Sequence, residues 1–103
     1  MAILIHSKTL QVTRGMRRFV TQQAGRLLKF PGQRIEDVHV FIDSIKLRRG
    51  KMTQDARVKV KVSLPGKDVI VTSKAHDLYL AILTALKDAK RIIRKRKEKK
   101  RGR

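Results

Sequence analysis

The sequence predicts an α+β fold: a two-layer β-α-β-β-β-α sandwich, with a four-stranded sheet and two helices on one face. Three observations lead to it. Residues 55–64 alternate apolar and polar side chains without a break, as a strand does in a sheet with one covered and one solvated face. Two segments, beginning at Arg14 and near Asp77, repeat apolar residues at helical spacing. Each has a single apolar stripe, so both can cover the same side of the sheet.

In chain order, Ala2 to His6 is a short apolar strand, and Ser7 to Val12 leads out of it. Thr13 is a good N-cap for a helix from Arg14 to about Phe30. Met16, Phe19, Val20, Ala24, Leu27 and Leu28 form its buried stripe; Arg14, Arg17, Arg18, Arg26 and Lys29 fall mainly on its other sides. Gly15 and Gly25 weaken this helix slightly, and Pro31-Gly32 stops it. Val38, Val40 and Ile42 alternate with His39, Phe41 and Asp43 in a second strand. A basic loop from Lys46 to Gln54 follows, carrying Arg48, Arg49 and Lys51. The third strand turns Ala56, Val58, Val60, Val62 and Leu64 to one face and Arg57, Lys59, Lys61 and Ser63 to the other. Pro65-Gly66-Lys67 is a turn, so Asp68 to Ser73 pairs back as a hairpin.

The last helix has Asp77 in its first turn, where a negative charge suits the helix dipole. Leu78, Ile82, Leu86, Ala89 and Ile93 are its apolar stripe. Lys87, Arg91 and Lys95 line one side of it, and Lys90, Arg94 and Lys97 make a second basic row. Residues 1–93 read as one domain, and residues 94–103 as a basic helical extension or tail that frays because its charges repel.

Composition narrows the function. The net charge is +19; the last ten residues supply +7 and leave +12 on the rest, so the charge belongs to the whole domain and points to a polyanion. The absence of cysteine excludes disulfides and thiolate metal sites. No apolar run approaches the roughly 20 residues of a membrane span, and MAILIHSK does not make a signal peptide, so the reading is a soluble intracellular protein. Phe19, Phe30, Phe41 and Tyr79 are the only aromatics, which argues against a stacking platform for single-stranded bases.

No enzyme site emerges. His6, His39 and His76 are widely spaced and lack a second ligand at metal spacing. Ser73, His76 and Asp77 are neighbours in sequence, which is not the geometry of a triad; helix packing and capping explain His76 and Asp77 better. Gly32, Gly50 and Gly66 are turn glycines, and no phosphate-binding loop is present. The expectation is no metal, no cofactor and no small-molecule substrate. Nucleic acid is favoured over mere solvation for the helical rows because only Asp88 and Glu98 offset them after Asp77. Arg57, Lys59 and Lys61 fit RNA contact and solubility of an open sheet face equally. The loop with Arg48, Arg49 and Lys51 either orders on binding RNA or stays mobile, with binding slightly favoured. Tyr79 reads as a boundary aromatic.

Ile5 to Arg17 reads I-x-S-K-x-L-x-V-T-x-x-M-R, the third strand opens Asp55-Ala56 with Val58 and Val60 following, and the last helix begins His76-Asp77-Leu78-Tyr79-Leu80-Ala81-Ile82. In this order and spacing, with Lys87, Arg91 and Lys95 at basic helix positions, the chain resembles the bacterial ribosome hibernation-promoting factors, also called ribosome-associated inhibitors or ribosomal subunit interface proteins. The resemblance covers nearly the whole chain and implies a fold akin to double-stranded RNA-binding domains. It also implies binding to the small ribosomal subunit through its rRNA, in the channel between head and body. Bound there, such proteins overlap the messenger and transfer RNA sites and silence translation in stress. The chain is then a short-form member or an N-terminal domain, cytoplasmic, and monomeric off the ribosome. The Lys46–Gln54 loop and the tail are more basic than the family pattern. The rival readings are a general double-stranded RNA or nucleoid-type module, a structural ribosomal protein, and a membrane-surface protein using the polybasic helix. The basic helix lacks the Trp or Phe anchors that the membrane reading would favour.

Overall fold

The computed structural model of the protein describes residues 1–8, 11–29, 34–47 and 54–101. Six elements follow in the order β1 (Ala2–Ser7), α1 (Arg14–Leu27), β2 (Asp37–Leu47), β3 (Gln54–Ser63), β4 (Val69–Ala75) and α2 (Leu78–Arg101). The strands form one mixed sheet in the order β1-β2-β3-β4. The hairpin-connected strands β2, β3 and β4 are antiparallel, whereas β1 runs parallel to β2. A parallel neighbour needs a crossover connection, and α1 supplies it.

Strand alternation divides the sheet into two unlike faces. Val38 pairs with Val62, and Val62 in turn with Val69; Val60 lies between Val40 and Val71. These side chains are buried on one face, together with Ile42, Ala56 and Val58. Both helices close over them. Met16, Val20 and Ala24 come from the first helix, Leu28 from its C-cap, and Ala81, Ile82, Ala85, Leu86, Ala89 and Ile93 from the second helix, all in a single apolar cluster. α2 lies over β3 and β4, and α1 packs beside it near β1. The two-layer α+β arrangement is therefore the expected one. Ala81 and Ala85 join the stripe of α2 as small residues at its fully buried contact, where they leave room for the valines beneath.

Several element ends differ from expectation, among them β4, which runs over Val69–Ala75 rather than Asp68 to Ser73, and α2, which stays helical to Arg101 where fraying was expected. α1 stops at Leu27, and Leu28 takes a non-helical φ of −102° and ψ of 23° while its N–H still donates to the Ala24 carbonyl. The helix thus ends short of the Pro31-Gly32 pair expected to stop it. β2 runs on to Leu47 through an irregularity between Asp43 and Lys46, where β2 spends one more residue than β3; such a bulge breaks the alternation a reader follows. Lys46 and Gln54, assigned above to a loop, thereby belong to strands. Asp77 is the N-cap of α2 rather than a first-turn residue: its carboxylate accepts from the Tyr79 N–H at 2.9 Å, and its carbonyl accepts from the Ala81 N–H. Thr13 caps α1 as expected, its hydroxyl oxygen accepting from the Met16 N–H at 3.1 Å.

The starts of the helices are tied together by Phe19 and Tyr79, whose rings meet edge to face at 4.9 Å. Tyr79 is 41% exposed, in keeping with a boundary aromatic. At the β3–β4 turn Gly66 has φ +96°, a conformation glycine takes without strain. By contrast, Gly25 sits in α1 with nothing within 4 Å of where a Cβ would lie. Gly25→Ala is therefore expected to raise unfolding free energy by about 0.4–1 kcal/mol, and Gly66→Ala to lower it. Urea denaturation of the two variants checks both signs.

Candidate nucleic-acid interface

The outer surface of the helix layer collects most of the cations singled out in the sequence. Arg14, Arg17, Arg18, Arg26 and Lys29 on and beside α1 are exposed, as are Lys87, Arg91, Arg94 and Lys95 on α2; Lys90 is half-buried. This follows from the same periodicity that buries the apolar stripes, because residues displaced from a stripe must face solvent. Gln23, Arg26 and Leu27 of α1 face Leu83, Lys87 and Lys90 of α2 across a groove of about 460 Å³. Its floor is partly apolar, and three cations converge on its rim. Arg91, Arg94 and Lys95 carry the positive surface on along α2. Arg14, Arg17 and Arg18 lie about 12–18 Å back along α1 from Arg26, at 1.5 Å per residue, and do not share the groove. Asp88 Oδ1 lies 3.6 Å from Arg91 Nη2, an exposed pair of small effect.

One cation of α2 has a different task. Arg96, in neither basic row, donates from Nη1 to the Lys67 carbonyl at 2.7 Å and from Nη2 to the Asp68 carbonyl at 3.4 Å. It clamps the far part of α2 to the β3–β4 turn. No sequence pattern pointed to this, because the partners are backbone carbonyls 28 and 29 residues away.

The opposite face of the sheet is solvated and also basic. Arg57 and Lys59 are exposed there and Lys61 half-exposed. Lys61 Nζ is 3.7 Å from Asp68 Oδ2, so part of its charge is countered within the protein. Lys59 Nζ stands 5.8 Å from the centre of the Phe41 ring. The β1–β2 register sets His6 beside Phe41, and His39 follows two positions from Phe41 on the same face. His6 Nε2 and His39 Nδ1 are 3.0 Å apart, one ring donating and the other accepting. Two of the three histidines read as widely spaced are thus in contact, and the aromatic scarcity that argued against a stacking surface overlooked them. Alternation set His39 and Phe41 on one face of the second strand, but only the strand register, absent from the sequence, brings His6 to them.

Arg48, Arg49 and Lys51 lie outside the described residues. Ser73 is buried on the helix-covered face, and the Asp77 carboxylate caps α2. Among the described residues no group of three or more His, Cys, Asp or Glu side chains is placed to hold a metal ion, and no helix is long and apolar enough to cross a membrane.

A family model described as Sigma 54 modulation protein / S30EA ribosomal protein matches residues 3–101. Among solved structures, a ribosomal subunit interface protein from Coxiella burnetii shares the fold at a TM-score of 0.78 and 19% identity, covering 95% of this chain and 99% of that one. The N-terminal domain of Protein Y from Thermus thermophilus is similar at a TM-score of 0.72 and 28% identity, over 90% of this chain and 93% of that one. No curated protein matches the sequence.

The Arg96 clamp is separable from the charge it carries. Arg96→Ala and Arg91→Ala each remove one positive charge, but only the first removes bonds to the turn. Arg96→Ala is expected to be the less stable by about 0.5–1.5 kcal/mol in urea denaturation; equal stabilities would remove the clamp from the fold.

Proposed function

Since the chain belongs to the Sigma 54 modulation protein / S30EA ribosomal protein family, we propose that it is a ribosome-binding translational inhibitor of the hibernation type, seated on the small subunit. The observation that carries this is the convergence of Arg26, Lys87 and Lys90 on one interhelical groove, continued by the exposed Arg91, Arg94 and Lys95. A rigid pair of helices with fixed cation spacing suits a folded RNA surface, because A-form RNA is recognised mostly through its shape, phosphates and 2′-hydroxyls.

In this reading the helix layer docks against rRNA in the channel between head and body. Lys and Arg neutralise phosphates and release counterions, which gives affinity with little sequence preference. Specificity comes from fit: the helix surface and the groove must match the RNA contour. Bound there, the domain occupies the space of messenger and transfer RNA and stops translation by exclusion, with no covalent step. Residues 1–93 act as the ribosome-binding domain, and residues 94–103 extend its basic surface. Removing self-repulsion at +19 adds a further gain, since binding of a polyanion to the folded form alone stabilises it.

The triple variant Lys87→Ala, Arg91→Ala, Lys95→Ala tests the role of α2. Binding to purified small subunits, measured across a salt series, is expected to weaken and its log–log salt slope to shrink by up to about 0.9 per lost phosphate contact. An unchanged affinity and slope would remove α2 from the interface.

A further inference from the structure

On the side of the sheet away from the helices, the rings of His6, His39 and Phe41 form a cluster with nearly parallel planes. His6 and Phe41 are 4.7 Å apart at 17°, His39 and Phe41 6.0 Å apart at 14°, and His6 and His39 5.3 Å apart at 10°. The His6–His39 centroid distance, with a 3.0 Å N···N bond between the rings, fits two imidazoles joined edge to edge in one plane. Phe41 is offset-stacked on His6. Such arrays accept a further planar ring, because offset stacking is the arrangement that the ring quadrupoles favour.

A basin of about 570 Å³ opens against this cluster, within the range of about 300–1,000 Å³ usual for small-ligand sites. His6 and Phe41 form its aromatic side, and Lys8, Arg57 and Lys59 bring three cations against the single carboxylate of Asp43. Charge therefore selects an anion, and the rings select a flat one. Phe41 takes no part in the apolar core, and cross-strand pairing alone would be served as well by β-branched residues.

We propose that the open face of the sheet is a second RNA-binding site, which stacks the base of an unpaired nucleotide on the His6–His39–Phe41 cluster and seats its phosphate among Lys8, Arg57 and Lys59. The occupant is single-stranded RNA, in contrast to the folded RNA taken by the helix layer, and the site stands whether or not the helix layer docks as described.

The test compares a short labelled oligoadenylate with an abasic oligoribonucleotide of equal length and charge, by fluorescence anisotropy on the whole chain. Phosphate contacts on the helices bind both alike; a stacking site does not. The oligoadenylate is expected to bind roughly 5- to 100-fold more tightly, the loss found when one stacked base loses its aromatic partner. Phe41→Ala should abolish this preference while leaving abasic binding and small-subunit binding in place, and Phe41→Tyr should keep it. In the wild-type protein, oligoadenylate should move the His6 and His39 ring proton signals upfield, a readout that needs no variant to fold. Equal binding of the two oligomers, or histidine ring signals that do not move, would overturn the proposal. Loss of subunit binding in the Lys87, Arg91 and Lys95 variant with the base preference intact would separate the two sites.

Discussion

A chain of 103 residues with 27 Lys and Arg side chains has to assemble a core without drawing any cation into it. An unpaired buried charge costs several kcal/mol, and eight acids cannot partner so many bases. The structure meets this constraint by segregation. Ser73 is the one buried polar residue among those described. The core is a field of valines on one sheet face, closed by the apolar stripes of two helices. Among the described residues no charged side chain is buried, and the charge is left to the outside of the helix layer and the open side of the sheet. The two basic surfaces are thus a direct consequence of how the core is made, and α2 is the member that serves both ends: its stripe covers β3 and β4, and its other sides carry the longest run of cations.

That arrangement gives the surfaces different characters. On the helix layer, cations stand at fixed spacings on rigid elements, and the groove between α1 and α2 adds shape. On the sheet, cations alternate with rings and small polar groups: His6 and Phe41 lie level with Lys59 and Thr72 in one cross-strand row, and His39 lies in the next, level with Lys61. The Arg96 bonds to the Lys67 and Asp68 carbonyls hold the far part of α2 to the turn that joins β3 and β4, so the two layers keep their relation where the positive charge is densest.

Most of the architecture was legible because it rests on local periodicity. The alternation of 55–64, the Thr13 cap and the two apolar stripes each state their own geometry, and each is found. The failures come where local pattern stops being informative. The bulge after Asp43 shifts the alternation, which hid the extension of β2 to Leu47. Alanines carry little periodic signal, which hid the burial of Ala81 and Ala85. The candidate site was legible in part: the cation rows of α1 and α2 face outward as their spacing implied, yet their convergence at Arg26, Lys87 and Lys90 depends on how two helices pack. The parallel register of β1 on β2, which unites His6 with His39 and Phe41, is a long-range pairing that no local motif records.

What distinguishes a shaped ribosomal site from general polycation behaviour is persistence against an equally charged competitor. The direct measurement is co-sedimentation of the protein with purified small ribosomal subunits at near-physiological salt in the presence of excess duplex RNA. Saturable, stoichiometric binding that survives the competitor is the expected result. Binding that fails to saturate, or that duplex RNA strips away, would contradict it and reduce the helix layer to a sequence- and shape-indifferent cation surface.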